Sequence, residues 1–202
     1  DDAFADCASL QSITLPRNLK SIGYGAFRMC SQLQSIEFPE GLESIEGYAF
    51  ESCFNGMGYY ATEGSYIEPN GGYIGSGLSI SIPSSVTSIG EGVFAWCSGI
   101  SSIVVDGNNT TYDSREDCNA IIETATNTMI AGCRHSFIPT TVTALGYGVF
   151  YGHVIESVEI PDGVVSIGES AFAYSSVDTL HIPSSVKTIG RMAFDHCDDL
   201  TT

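Results

Sequence analysis

Six prolines each follow a strand-like pair of apolar residues: Pro16 in SITLP, Pro39 in SIEFP, Pro83 in SISIP, Pro139 in FIP, Pro161 in VEIP and Pro183 in LHIP. Pro16 and Pro39 lie 23 residues apart, and Pro139, Pro161 and Pro183 follow one another at intervals of 22. The recurring unit reads P-x-x-[VL]-x-x-[IL]-G-x-x-[AV]-F-x-x-C-x-x-[LI]-x-S-[IV]-x-[IVF]. Its phenylalanine survives seven times, as Phe4, Phe27, Phe50, Phe94, Phe150, Phe172 and Phe194. A unit of this length cannot bury an apolar face by itself, so successive units must stack on one another. The chain is therefore expected to be one solenoid domain over 1–202, with partial first and last repeats.

Within a unit, the S-I-x-I alternation predicts a short strand whose apolar members, such as Ile36 and Phe38 or Ile80 and Ile82, point inward. Proline ends it, having no N–H for a further ladder bond. The glycines after the second apolar pair (Gly23, Gly90, Gly146, Gly168, Gly190) suit a turn of positive φ, with Glu46 the one departure. The A-F-x-x-C arc that follows has helix-like spacing over a turn or two.

These motifs resemble the BspA-like class of leucine-rich repeats, along nearly the whole chain. The resemblance implies a leucine-rich repeat solenoid, α/β and horseshoe-like, with a parallel β-sheet on one face and short helical or irregular segments on the other. It further implies a secreted or surface-exposed protein of a bacterium or protist, working in adhesion or recognition.

Hydrophobic residues make up 43% of the chain, enough for a core. Seven Lys plus Arg stand against 24 Asp plus Glu, a formal charge of −17 that repels nucleic acid and anionic lipid. The acids are scattered, which reads as a solvated surface. No apolar run approaches the ~18 residues of a membrane-spanning helix, so no membrane insertion is expected of this chain. No secretory leader opens it. DDAF starts in mid-unit and DHCDDLTT stops before the next strand. Neither end carries a polar cap, and an exposed apolar rung favours end-to-end self-association or continuation of the array.

Cys7, Cys30, Cys53, Cys97 and Cys197 each stand three residues after a repeat phenylalanine. The column faces inward, where free cysteine packs as a small hydrophobe. Phe27, Phe50, Phe94, Phe150, Phe172 and Phe194, with Cys30, Cys53 and Cys97, are thus the expected structural core. In two units the cysteine is replaced, by His153 and Ser175. A metal site needs converging imidazoles or carboxylates, which the column lacks, so no metal and no cofactor are expected. Cys118 and Cys133 bracket a predicted hairpin, Ile121 to Glu123 against Thr128 to Ile130. Pairing Ile121 with Ile130 would set the two thiols opposite each other. The oxidising compartment implied by the resemblance makes a Cys118–Cys133 disulfide a reasonable expectation, with free packed thiols as the alternative.

The repeat breaks twice. Residues 54–79 form an excursion carrying Tyr59, Tyr60, Tyr66 and Tyr73, either a binding loop, since tyrosine gives contact area at low entropic cost, or a degenerate repeat covering the solenoid. Residues 106–138 form an irregular repeat holding the hairpin. Its acids and asparagines lack D-x-D-x-D-G spacing, which argues against calcium. On the strands, one outward column holds Ser12, Ser35, Ser79, Ser102, Ser157 and Thr179. The other holds Thr14, Glu37, Ser81, Val104, Glu159 and His181. The columns read either as a hydrogen-bonding ladder or as a polar recognition face to which Glu37, Glu159 and His181 contribute. The four histidines, His135, His153, His181 and His196, fall in no catalytic motif, so no catalytic residues are assigned. The expected function is non-catalytic recognition of a host or neighbouring-cell protein or glycan, with a structural spacer or self-assembly module as the alternative.

Overall fold

The computed structural model describes residues 1–54, 77–155 and 158–201. Among the described residues eleven short strands succeed one another: β1 (Ser21–Ile22), β2 (Ser44–Ile45), β3 (Leu78–Ile82), β4 (Ser88–Ile89), β5 (Ile100–Val105), β6 (Tyr112–Asp113), β7 (Ile121–Glu123), β8 (Thr128–Ala131), β9 (Ala144–Leu145), β10 (Ser166–Ile167) and β11 (Thr188–Ile189). Among the described residues there is no α-helix, only a 3-10 turn at Arg115–Asp117. The molecule is a β-solenoid of parallel rungs, and the α layer of an α/β horseshoe is replaced by turns.

Most of the ladder lies on the S-I pair before the repeat glycine. β1, β2 and β4 stack in parallel with Ser21, Ser44 and Ser88 in register, and β9, β10 and β11 do the same with Ala144, Ser166 and Thr188. The S-I-x-I stretch forms a full strand pair only where β3 meets β5. Elsewhere it contributes single bonds between units, such as Gln34 N–H to Gln11 O at 3.0 Å.

The repeat glycines serve packing rather than the turn conformation expected of them; their φ is not positive. A Cβ on Gly90 would run into the backbone of Gly47 and Glu46, and one on Gly168 would lie 2.7 Å from the carbonyl carbon of Gly146. At Gly90 and Gly168 the rungs approach so closely that a Cβ has no room, whereas the second unit places Glu46 at this position.

The A-F-x-x-C arc is a chain of turns, not a helix. Ala26, Arg28 and Cys30 donate to the carbonyls three residues earlier, while Gly25, Phe27 and Met29 donate to Gly47, Ala49 and Glu51 of the next unit. The alternation needs left-handed backbone at two positions per arc: Gly25 and Met29, Tyr48 and Ser52, Gly92 and Trp96, Gly148 and Gly152, Ser170 and Tyr174, Met192 and His196. Every second N–H is thereby aimed along the solenoid axis, and the arcs join the ladder.

Phenylalanine rings stack along the axis: Phe4 on Phe27, Phe27 on Phe50, Phe50 on Phe94, Phe150 on Phe172 and Phe172 on Phe194, with centroids 5.1–5.8 Å apart. Phe27, Phe50, Phe94, Phe150 and Phe172 are buried. Phe194, on the last arc, is partly exposed.

The irregular repeat inserts a wall. β8 pairs in parallel with β9 and so takes one rung, while β7 and β6 continue antiparallel from it. Ile121, Ala131 and Cys133 face one core cluster, whereas Cys118, Ile122 and Met129 face another. The hairpin is buried on both faces, which explains its run of consecutive apolar residues. The Tyr112 hydroxyl accepts the Ile89 N–H at 2.9 Å and ties the wall to β4. Asn109 clamps the loop, donating through Nδ2 to the Pro83 and Val86 carbonyls and accepting from the Thr111 and Tyr112 N–H groups, all at 2.9 Å.

Candidate recognition surface

The cysteine column is a hydrogen-bonding device. Each thiol reaches back to the phenylalanine carbonyl of the preceding unit: Cys30 to Phe4 (3.2 Å), Cys53 to Phe27 (2.8 Å), Cys97 to Phe50 (2.9 Å) and Cys197 to Phe172 (3.0 Å). Cys30, Cys53 and Cys97 are fully buried; Cys7, on the first arc, is exposed. Burial raises the pKa of Cys97 above the usual thiol value, which disfavours its thiolate. His153 repeats the pattern with Nε2 3.0 Å from the Phe94 carbonyl.

Of the two outcomes left open for Cys118 and Cys133, the structure has the free packed thiols. Ile122 pairs with Met129 and Glu123 with Thr128, the register anticipated for the hairpin, but a bulge between Ile121 and Ile122 moves Ile121 opposite Ala131. One residue of slip sends the two cysteines to opposite faces. Both thiols are free, and Cys133 Sγ donates to the Asn119 carbonyl at 3.3 Å.

Glu37, Glu159 and His181 are exposed, as are Thr14, Ser81 and Val104 of the same column. Glu159 and His181 occupy consecutive units, and Glu37 lies several rungs away. Ser79 and Ser81 pair in register with Ser102 and Val104, yet Ser102 Oγ donates to Asn119 at 3.0 Å instead of joining a hydroxyl ladder. Tyr59, Tyr60, Tyr66 and Tyr73 lie outside the described residues. The excursion is shorter than its expected bounds of 54 and 79: Phe54 is buried and stacks on Phe50, and Leu78 and Ser79 belong to β3. In the irregular repeat, Asp113 holds Arg115 through both oxygens (2.9 and 2.8 Å), and Asp106 caps the Asn108 N–H (2.8 Å). Among the described residues no group of three His, Cys, Asp or Glu side chains is placed to hold a metal.

The turn side carries a feature that motif reading missed. Trp96, Tyr151 and Tyr174 pack against one another in a cluster, with centroids 5.8 Å apart for Trp96–Tyr151, 5.2 Å for Trp96–Tyr174 and 5.9 Å for Tyr151–Tyr174, and His196 stacks on Tyr174 at 4.5 Å. A second group, Tyr24, Tyr48 and Tyr147, runs beside it, its last two hydroxyls hydrogen-bonded. Glu51 acts electrostatically on Tyr48 and on Tyr151. Burial raises its carboxyl above the usual range, and Arg28 opposes the shift. Burial likewise raises Tyr48, reinforced by the bond to Tyr147. The sequence signal was available in register: Trp96, Tyr174 and His196 all stand two residues after a repeat phenylalanine.

The stacked rungs, phenylalanine column and turn-built arcs define a repeat solenoid of the leucine-rich kind. A family model of BspA type leucine rich repeat regions matches residues 1–115, 72–128 and 131–202 in six copies, and the chain belongs to that family. Solved structures share the fold. A leucine rich cell surface protein from Faecalibacterium prausnitzii is 24% identical over 98% of this chain and 54% of its own, with a TM-score of 0.69. A leucine-rich repeat protein from Eubacterium ventriosum is 20% identical over 100% and 55%, with a TM-score of 0.67. The pneumococcal vaccine antigen PcpA is 18% identical over 93% and 48%, with a TM-score of 0.70. The chain thus spans about half the length of the structures it matches. No curated protein matches it. Among the described residues no helix is long and apolar enough to cross a membrane.

Proposed function

We propose that the chain is a non-catalytic recognition module of a secreted or cell-surface protein, binding a protein or glycan of a host or neighbouring cell. The observation that carries this reading is how the fold distributes its residues: stacked Phe, Ile and Cys columns fill the interior, and the variable polar and aromatic residues face outward along the rungs. Such a scaffold presents extended surfaces and leaves specificity to the residues displayed on them. The family is in general non-catalytic, and one solved relative is named a cell surface protein. His135, His181 and His196 lie in separate units, and His153 is buried against a carbonyl.

The test is a binding screen of the chain against matrix proteins, arrayed glycans and itself, beside a variant with residues 56–77 replaced by a short Gly/Ser linker. A ligand held by the parent and lost in the folded variant locates recognition in the tyrosine-rich excursion. One held by both places it on the solenoid surface. If the parent binds none of them, the recognition reading fails. The second reading is a spacer or self-assembly module, since a stacked solenoid is a periodic scaffold whose units contact only their neighbours. Concentration-dependent mass in light scattering, with no other ligand bound, would support it.

A further inference from the structure

Successive arcs are joined by axial hydrogen bonds in threes. Gly25, Phe27 and Met29 tie the Phe27 arc to the Phe50 arc, and Tyr48, Phe50 and Ser52 tie that arc to the Phe94 arc. Gly148, Phe150 and Gly152 do the same for the Phe172 arc, and Ser170, Phe172 and Tyr174 for the Phe194 arc. The joint between the Phe94 and Phe150 arcs keeps one of the three, Trp96 N–H to the Tyr151 carbonyl at 2.8 Å. The Val149 carbonyl, counterpart of the Ala49 acceptor used by Phe27, takes the Gly132 N–H instead, also at 2.8 Å. The N–H groups of Gly92 and Phe94 find no acceptor among the described residues. Gly132 is wedged against Phe150, where a Cβ would run into the ring. Three other regularities stop at the same joint. The ring stack runs from Phe4 to Phe94 and resumes from Phe150 to Phe194. Phe94 belongs to one core cluster and Phe150 to the other. The thiol column gives way to His153, whose Nε2 meets the Phe94 carbonyl at 3.0 Å while its Nδ1 is buried without a partner. A crevice of about 170 Å³, lined by Gly92, Phe94, Gly132, Gly148 and His153 among others, marks the gap.

We propose that this joint is a hinge of the solenoid that opens in mild acid, with His153 as the group that takes up the proton. Opening breaks one axial bond rather than three, and it gives water to two N–H donors that lack a partner when the joint is closed. Local opening begins where bonding is thinnest. Side chains span the joint in place of the missing bonds: Trp96 lies over Gly152 and against Tyr151, and the Tyr48 and Tyr147 hydroxyls bond to each other above Gly92. In the closed joint a second proton on His153 is an unpaired charge in the core, and opening hydrates it. Burial holds the ring's pKa down to about 4 against 6.5, with the Phe94 bond opposing, and no charged side chain acts on it. The crevice residues carry no other ionisable side chain, and Ser175 follows His153 in its column. Burial keeps the remaining titratable groups of the packed elements neutral: Cys97 on the Phe94 arc, Cys133 on the irregular repeat and Tyr151 on the ring's own arc. The closed form has the lower pKa, so the open form binds more protons between pH 6.5 and 4, and its population rises as pH falls through that window. Opening resets the angle between the half that displays Glu37 and the half that displays Glu159 and His181.

Two buried thiols report on the opening. Cys97 stands on the arc that borders the joint, Cys53 one arc farther into the first half, and both are fully buried. The experiment modifies the native chain with methyl methanethiosulfonate, a reagent that works in mild acid, and resolves the rate at each cysteine by peptide mass. Cys97 is expected to react at least tenfold faster than Cys53, which waits for global unfolding. Phe27→Leu, a change inside the first half, should quicken Cys53 and leave Cys97 unaltered, because the contacts of Phe27 survive opening of the joint. Divided by its rate in the urea-denatured chain at the same pH, the Cys97 rate should rise roughly 20-fold from pH 7 to pH 5. In His153→Cys, which restores the usual residue of the column, that rise should vanish; circular dichroism checks that the variant is folded. Equal rates at Cys97 and Cys53, or Phe27→Leu quickening both alike, overturn the hinge. A rise in acid that persists in His153→Cys overturns His153 as the proton acceptor and, with it, the acid-opened joint.

Discussion

Replacing His153 by cysteine, the usual residue of its column, should flatten the acid side of the stability curve. His153 is 2% exposed. Its Nε2 faces only a carbonyl, the Phe94 oxygen at 3.0 Å, so that nitrogen carries the proton and Nδ1 is left as a buried lone pair without a hydrogen bond. A second proton would put an unpaired charge in the core. Burial accordingly pushes the pKa from 6.5 down to about 4, with the bond to Phe94 opposing weakly. Between these values the unfolded chain binds more protons than the folded one, so stability falls as pH falls through the window. The loss reaches ~2 kcal/mol at pH 5 and levels off at ~3 kcal/mol below pH 4. Urea unfolding of the parent and of His153→Cys at pH 7, 6 and 5 measures it. The contribution of other titrating groups is common to both proteins, and the variant's thiol stays neutral over this range while its S–H can donate to the Phe94 oxygen. Equal losses in the two proteins between pH 7 and pH 5 would refute the argument.

Phe50→Ala should cost about 3–5 kcal/mol in urea unfolding, because the ring is fully buried between Phe27 and Phe94 and its loss opens a cavity that the stack closes poorly. Gly90→Ala should destabilise by about 1–3 kcal/mol or more, since its Cβ meets the backbone of the neighbouring rung; an unchanged melting temperature would show that the rungs can part. Alkylation of the denatured, unreduced chain should label all seven thiols by mass, and labelling of five would establish a disulfide against the hairpin register described above. Cys53→Ala should lose more stability than Cys53→Ser, because serine retains a donor toward the Phe27 carbonyl while alanine leaves that buried acceptor short of one bond.

The features that the sequence determined by itself are those that stacking turns from spacing into columns. Once a unit of 22–23 residues must bury its apolar face on its neighbour, Phe27, Phe50 and Phe94 have to lie above one another, and so do Cys30, Cys53 and Cys97. The hairpin was legible for the same reason, since its alternation and turn are local.

What only the tertiary structure decided depends on contacts between units and on the sign of φ, neither of which has a local sequence signature. Gly90 reads as a turn glycine until the backbone of Gly47 is placed against it. The A-F-x-x-C arc has helical spacing, but its N–H groups turn outward to the next unit because two residues per arc adopt left-handed backbone, even where they are Trp96 or Tyr174. One bulge at Ile121 separates Cys118 from Cys133, since a strand's side chains change face with every residue. The aromatic cluster of Trp96, Tyr151 and Tyr174 belongs to this second class as well. Its members stand at two different repeat positions, two residues after phenylalanine for Trp96 and Tyr174 and one residue after it for Tyr151, and only the curvature of the arcs brings those positions together.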